Sequence, residues 1–423
     1  MHDESHRYLF SQWLEPQNAS EFKSTNKRLV EFFEQLIANS EGNETETLQR
    51  RRMFHLLGYD REQGFAEFER LCRLNRRQFR LSECESLVKL VQEYDSVLPQ
   101  TLSGRFAYHR GKLAADLRQW PRADQLFNRV VDNMELPAEL RVKAYNRLGI
   151  IYAEQRNWKE AIEFQQKALE LEKTITGCTL KAHHILHELG VVYRDSGDLR
   201  KSEKLLQKSV ELASKHDDLE GMAVAHNSLG TLYRKLGEAR QAIEAYERSL
   251  EYLNCINDKF RSAQVYNNLG AAYADLREWE KSELFFQKSL NIKREAEDIL
   301  GQAHTYNNLT RVYQNLKLVD KAINASQQAI GLFTEMRAWY DTAVATRNLA
   351  RLYRNMQNVY SSQEAFREAV KLFEQCNESE KAEETQKELM TLSRKVGLPW
   401  WIWLAIILFI LFILLSIIGL LSV

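Results

Sequence analysis

An all-α solenoid of repeated helical hairpins, completed by one C-terminal transmembrane helix, is the fold class this sequence predicts. Three observations predict it: a scarcity of helix breakers, a forty-residue repeat through the middle of the chain, and an uncharged apolar run near residue 423. At 423 residues the chain exceeds what one compact core usually organises, so a repeat array or several domains is expected. It carries 5 prolines and 17 glycines, while strong helix formers abound. Lys and Arg number 58 and Asp and Glu 58. A chain so balanced has no global field to draw it onto nucleic acid, so no nucleic-acid partner is expected. The five cysteines, Cys72, Cys84, Cys178, Cys255 and Cys376, are widely spaced and contain no CxxC. They read as buried apolar thiols in a reducing compartment rather than as a disulfide framework or a zinc site.

Between residues 143 and 376 one short pattern recurs six times. It is Asn146, Leu148, Gly149, Tyr152 in the first copy, then His187, Leu189, Gly190, Tyr193, and Asn227, Leu229, Gly230, Tyr233. Asn267, Leu269, Gly270, Tyr273 follow, then Asn307, Leu309, Thr310, Tyr313, and finally Arg347, Leu349, Ala350, Tyr353. Successive leucines are 41, 40, 40, 40 and 40 residues apart. Twelve residues after each glycine position stands a small residue (Ala161, Ser202, Ala242, Ser282, Ala322, Ser362), and seven further on another (Ala168, Ser209, Ser249, Ser289, Ala329, Ala369). Small residues at fixed phase let two helices approach closely.

The physical unit is a helical hairpin. Tyr266, Leu269, Gly270 and Tyr273 form one stripe of a 3.6-residue helix. Gly197 and Gly237 supply left-handed C-caps in two copies. Second helices are expected to begin near Trp158, Leu199, Ala239, Trp279, Val319 and Val359, and Asp218, Asp258 and Asp298 to N-cap the next first helices. A single hairpin cannot bury both of its stripes. Stacked neighbours can, which predicts a superhelix whose first helices line a concave wall.

This Leu-Gly-x-x-Tyr pattern with its two following small residues resembles the tetratricopeptide repeat (TPR) family, in the forty-residue variety of kinesin light chains and spindle-orienting adaptors. Thr310 and Ala350 depart from the family's glycine, and its usual repeat-end proline is missing. The resemblance implies a right-handed solenoid, a binding role without catalysis, and asparagines that hold the backbone of an extended peptide.

Six repeats are assigned to 143–378. Gly111, Trp120 and Ala123 keep the phase of Gly149, Trp158 and Ala161, so degenerate repeats are placed over 61–142, and residues 1–60 form an N-terminal helical segment with apolar stretches at Tyr8 to Leu14 and Leu29 to Ile37, separated by a polar run at 39–47. Residues 379–397 read as an amphipathic capping and juxtamembrane helix with Ala382, Leu389 and Leu392 on one face. Within 398–423, the uncharged run from Trp400 reaches roughly 36 Å as a helix, enough to span a bilayer. Trp400, Trp401 and Trp403 supply an interfacial belt, and Arg394 and Lys395 just before it place the repeats on the cytoplasmic side.

Catalytic motifs are missing: there is no phosphate-binding glycine loop, nucleophile elbow or HExxH helix. His183, His184 and His187 have spacings that can share a metal, but without a supporting Glu or Cys they read as polar groove residues, so no metal or cofactor is expected. Arg50, Arg51, Arg52 and Arg73, Arg76, Arg77, Arg80 read as solvated helix faces. Asparagine is unfavourable inside helices, so its recurrence at 146, 227, 267 and 307 points either to peptide binding or to an asparagine ladder between hairpins. Arg347, Arg351 and Arg354 share one face, joined by Arg311, Arg234 and Arg194, whereas Asp195 and Asp275 are the acids of that wall; the arginines read either as a cationic ligand surface or as partners of glutamates on adjacent helices. The expected peptide-binding residues are therefore Asn146, His184, His187, Arg194, Asn227, Arg234, Asn267, Asn307, Arg311, Arg347, Arg351 and Arg354, with an acidic or phosphorylated protein segment as partner. The expected role is a membrane-anchored adaptor; the alternative is a regulatory or assembly subunit of a membrane complex held through its transmembrane helix.

Overall fold

In the computed structural model, residues 12–77, 80–175 and 182–395 are described; they form nineteen α-helices, with no strand among them. The expected transmembrane helix at 398–423 lies outside the described residues, as do residues 1–11. Among the described residues no helix is long and apolar enough to cross a membrane. The chain divides into two compact units, 1–217 and 218–423.

The first unit holds α1 (Ala19–Ala38), α2 (Asn43–Tyr59), α3 (Arg61–Arg77), α4 (Leu81–Gln92), α5 (Gln100–Asp116), α6 (Trp120–Val131), α7 (Ala138–Glu154), α8 (Trp158–Thr174), α9 (Ala182–Ser196) and α10 (Leu199–Lys215). The polar run at 39–47 separates α1 from α2 less widely than expected, because α2 already begins at Asn43, just after Gly42 at φ 63°. Met53, Leu57, Phe65, Phe68, Leu87 and Val91 build one apolar core in which Tyr94 donates its hydroxyl to the Phe54 carbonyl at 3.0 Å. Arg51 and Arg73 are exposed, but four of the arginines expected to form solvated faces tie helices together. Arg50 pairs with Glu83, Arg52 with Glu34 at 2.6 Å, Arg76 with Asp116 at 2.7 Å and Arg80 with Glu46 at 2.8 Å. The carboxylates that neutralise them lie on other helices, tens of residues away, so local sequence hides the pairing.

The second unit holds α11 (Leu219–Leu236), α12 (Ala239–Cys255), α13 (Lys259–Asp275), α14 (Trp279–Glu295), α15 (Ile299–Asn315), α16 (Val319–Glu335), α17 (Trp339–Asn355), α18 (Val359–Gln375) and α19 (Ser379–Lys395). Asp218, Asp258 and Asp298 cap α11, α13 and α15 by accepting from the backbone N–H three residues on. In α19, Ala382, Leu389 and Leu392 are buried, the two leucines against Ala350 and Phe366.

Within each unit the glycine of a first helix receives a side chain sixteen residues later on its second helix. A Cβ at Gly111 would lie 2.9 Å from the Phe127 ring and one at Gly149 2.6 Å from Gln165. In the second unit, a Cβ at Gly230 would lie 2.5 Å from the Tyr246 ring and one at Gly270 2.9 Å from Phe286. The serines that replace alanine on the second helices do more than permit close approach. Ser209, Ser249 and Ser289 donate to the carbonyls of His183, Ala223 and Ala263, each at 2.7 Å, and Ser282 and Ser362 donate to Gly270 and Ala350.

From Arg118 onward, each described turn between the two helices of a hairpin uses one left-handed residue at the same phase. Gly197 and Gly237 fill it in two copies at φ 100° and 82°, but Arg277, Lys317 and Gln357 fill it in the next three at about 60°. A Cβ in this region costs roughly 1 kcal/mol or more, which glycine avoids, while the freer unfolded glycine chain returns part of the gain. Arg277→Gly is therefore expected to raise the stability of the second unit by up to about 1 kcal/mol, read as a higher denaturant midpoint at unchanged slope. A lower midpoint would mean that the Arg277 side chain makes stabilising contacts that outweigh the backbone strain.

Candidate protein-binding surface

The expected binding residues fall on first helices because the apolar stripe of each hairpin turns the positions four and seven residues apart onto one other face. In the first unit, Asn146 Oδ1 is buried without a hydrogen-bond partner among the described residues, and the Asn146 carbonyl accepts from Gln165 at 3.1 Å. Of the three histidines, His187 faces Glu188. Its Nδ1 lies 3.4 Å from Glu188, whereas the His183 and His184 rings pack 4.1 Å apart. Burial would raise the Glu188 carboxyl, but His187 and Arg147 together hold it below the ordinary glutamate range. Arg194 forks onto the neighbouring Asp195 at 2.9 Å and 3.0 Å.

In the second unit the asparagines form a ladder between successive hairpins. Asn268 donates to Asn227 Oδ1 at 2.9 Å, and Asn308 donates to Asn267 Oδ1 at 3.3 Å. Asn267 also lies 3.4 Å from the hydroxyl of Thr305, which accepts from the buried ammonium of Lys293 at 2.9 Å. Burial lowers the Lys293 amine below the ordinary lysine range. Sequence reasoning missed this lysine, although a signal existed: the same phase holds Ala213, Leu253, Phe333 and Phe373, so a cation there is out of pattern. The ladder stops at the next rung. Asn307 and Asn348 are half-buried and make no side-chain hydrogen bond within the described residues.

The arginine stripe is not the open cationic wall that the sequence suggested. Arg351 forks onto Glu388 of α19 at 2.5 Å and 3.0 Å, Arg354 reaches the same carboxylate at 3.1 Å, and Arg347 lies 3.6 Å from Glu384 and over the Phe373 ring. Arg234 pairs with Asp275 at 2.8 Å. Glutamates on α19 stand 37 and 34 residues beyond their arginines, which places them on the adjacent first helix, where two carboxylates offset most of the charge of three guanidiniums. Arg311 differs. It is exposed, one helical turn from Asn307, and forms no ion pair within the described residues.

The tetratricopeptide repeat family matches residues 142–175, 181–254, 261–335 and 348–376, together half of the chain. Comparison with curated proteins returned no match. Among solved structures, a Rap protein complexed with competence and sporulation factor is similar over 78% of this chain and 96% of its own, with TM-score 0.53 and 16% identity. A signal transduction ATPase with numerous domains and a tetratricopeptide repeat sensor, from Pyrococcus horikoshii, is similar over 85% of this chain and 51% of its own, with TM-score 0.59 and 18% identity. Aspartyl phosphate phosphatase F from Bacillus subtilis is similar over 85% and 94%, with TM-score 0.54 and 14% identity. At these identities the likeness is one of fold, and it agrees with the repeat matches and the hairpin packing: the chain belongs to the tetratricopeptide repeat family.

Proposed function

We propose that this chain is a membrane-anchored scaffold that captures a partner protein through the first-helix wall of its second unit, at Asn307, Arg311 and Asn348. The observation that carries this reading is the broken rung of the asparagine ladder. Asn227 and Asn267 spend their side-chain oxygens on the next hairpin, whereas Asn307 and Asn348 keep both donor and acceptor, beside an exposed guanidinium. Two carboxamides match the backbone of an extended segment, and Arg311 matches a carboxylate or phosphate on it. The repeat fold supports a binding role, and a similar Rap protein is complexed with a competence and sporulation factor. The uncharged residues 400–423 and the preceding Arg394 and Lys395 support membrane anchoring with the repeats on the cytoplasmic side. Anchoring raises the partner's local concentration without any new contact.

The test uses the full chain in sealed vesicles. Protease added from the cytoplasmic side should digest the repeats, and alkaline washing should leave the chain in the membrane. Partner captured from cytosol should fall at least tenfold with Arg311→Glu, while helicity stays unchanged, and wild-type capture should weaken with added salt. Capture indifferent to both Arg311→Glu and salt removes the acidic-segment reading; repeats protected from protease remove the orientation.

A further inference from the structure

The first helices of the second unit run in one direction, so the turns that follow them share one edge. Asn268 reaches Asn227 and Asn308 reaches Asn267 across successive first helices. α19 keeps that direction beside α17: Lys381 donates to the Tyr340 hydroxyl at 2.6 Å near the start, Arg347 lies 3.6 Å from Glu384, and Arg351 meets Glu388 further along. The C-terminal end of α19 therefore lies on the edge formed by the turns after α11, α13, α15 and α17. Only residues 396–399 separate Lys395 from the uncharged run that starts at Trp400, at most about 18 Å of extended chain. The opposite edge is further off by the length of α19, whose 17 residues make roughly 25 Å.

This near edge is apolar and basic. Leu236 and Met356 are each 40% exposed, Leu318 38% and Tyr360 76%. The left-handed turn position, where a Cβ is disfavoured, holds the exposed cations Arg277 and Lys317, and neither forms an ion pair within the described residues. Asp275 and Glu278, acids of this edge, are held by Arg234 and Lys281, while Glu238, Glu280 and Asp320 remain beside them. Arg394 and Lys395 add positive charge where α19 ends. The far edge also exposes apolar side chains, Met336 and Trp339, but its turns set Asp258, Glu297, Asp298 and Glu335 against Lys259 and Arg337. Charge and the exit of the chain thus tell the two edges apart.

We propose that the near edge of the second unit lies on the membrane surface, with Leu318, Met356 and Tyr360 among the lipid headgroups and Arg277 and Lys317 against anionic lipid. The inference rests on residues 400–423 being the membrane anchor. A tether this short holds the edge beside the headgroups at high effective concentration, so a contact too weak to recruit a free protein is occupied in the anchored one. Tyrosine suits that depth because its ring is apolar and its hydroxyl polar. Basic side chains within a Debye length of anionic lipid are drawn to it, and the acids left on the edge make that attraction modest, so the apolar side chains share the contact.

The test is acetylation of lysines by a water-soluble reagent, with the full chain in sealed vesicles, its repeats outside, and in nonionic micelles. In vesicles of phosphatidylcholine with phosphatidylglycerol, Lys317 should react about fivefold more slowly than in micelles, the change expected of one basic residue at an anionic surface, while the exposed Lys259 of the far edge keeps its rate. Added salt should return part of the Lys317 rate. Met356→Glu combined with Tyr360→Glu should return most of it in the same vesicles, and alkaline washing should still leave that variant in the membrane. Equal Lys317 rates in vesicles and micelles, in a chain that survives alkaline washing, would overturn the contact and leave the anchor standing. Release of the chain by washing would remove both. Protection of Lys317 that grows with protein concentration in micelles would assign the edge to a second copy of the chain and overturn the lipid contact.

Discussion

Truncating Phe286 to alanine is expected to destabilise the second unit by about 3–5 kcal/mol, the range for a fully buried aromatic. Phe286 has no exposure and fills the space that Gly270 leaves on the facing helix. Its truncation also removes contacts with Leu290, Leu309 and Val312 in the core that joins successive hairpins. The converse change is informative because two effects compete. Gly270→Ala gains roughly 1 kcal/mol in helix propensity, yet its new Cβ meets three ring atoms of Phe286 at 2.9 Å, 2.9 Å and 3.0 Å. A ring packed on all sides cannot retreat, so overpacking of about 1–3 kcal/mol wins and Gly270→Ala is destabilising. Combining Gly270→Ala with Phe286→Leu should recover part of the loss, because a smaller partner frees the space. Chemical unfolding of the four proteins measures all of this; a stabilised Gly270→Ala single mutant would show that the hairpin is not close-packed at this point.

Reversing Glu388 to lysine is expected to cost about 1–2 kcal/mol and to loosen α19 from α17. The present carboxylate serves two guanidiniums, and the substitution leaves Arg347, Arg351 and Arg354 facing a fourth cation. The partial exposure of Arg351 and Arg354, 40% and 37%, keeps the effect well below that of a buried pair. Burial would raise the Glu388 carboxyl, but its hydrogen bonds and charge contacts with Arg351 and Arg354 outweigh that and hold it below the ordinary glutamate range. A carboxyl depressed in the folded state stabilises at pH above its unfolded value, and the contribution is lost as pH falls through the folded value. The difference between wild type and Glu388→Gln should therefore be largest near neutrality and vanish in acid. Proteolysis within residues 379–395 and unfolding as a function of pH report the two effects. A Glu388→Lys chain that keeps α19 as protected as in wild type would make the arginine stripe irrelevant to capping.

The same pairing changes what charge reversal of Arg347, Arg351 and Arg354 would mean. Three glutamates there would repel Glu384 and Glu388, so lost capture in such a mutant would report a loosened α19. Arg311 tests partner binding without that ambiguity, since it forms no ion pair within the described residues.

Periodicity alone determined the helical hairpins, because helix spacing and close approach are set by residues within about forty positions. The Leu-Gly-x-x-Tyr stripe, the small residues twelve and nineteen positions on and the capping aspartates are all local, and the six second helices begin at Trp158, Leu199, Ala239, Trp279, Val319 and Val359. The left-handed turns were legible at Gly197 and Gly237 but not at Arg277, Lys317 and Gln357, where packing of the repeat imposes a conformation that the residue itself disfavours. Charge could be counted from the sequence but not paired. The arginine stripe could be read as a ligand surface or as paired with glutamates until Glu384 and Glu388 stood opposite it, and the asparagines looked equivalent until two were bonded to the next hairpin and Asn307 was not. Such pairings depend on which side chains of different repeats come within 3 or 4 Å of each other. That is fixed by the stacking of hairpins, a long-range property which one repeat cannot encode and which the tertiary structure decided.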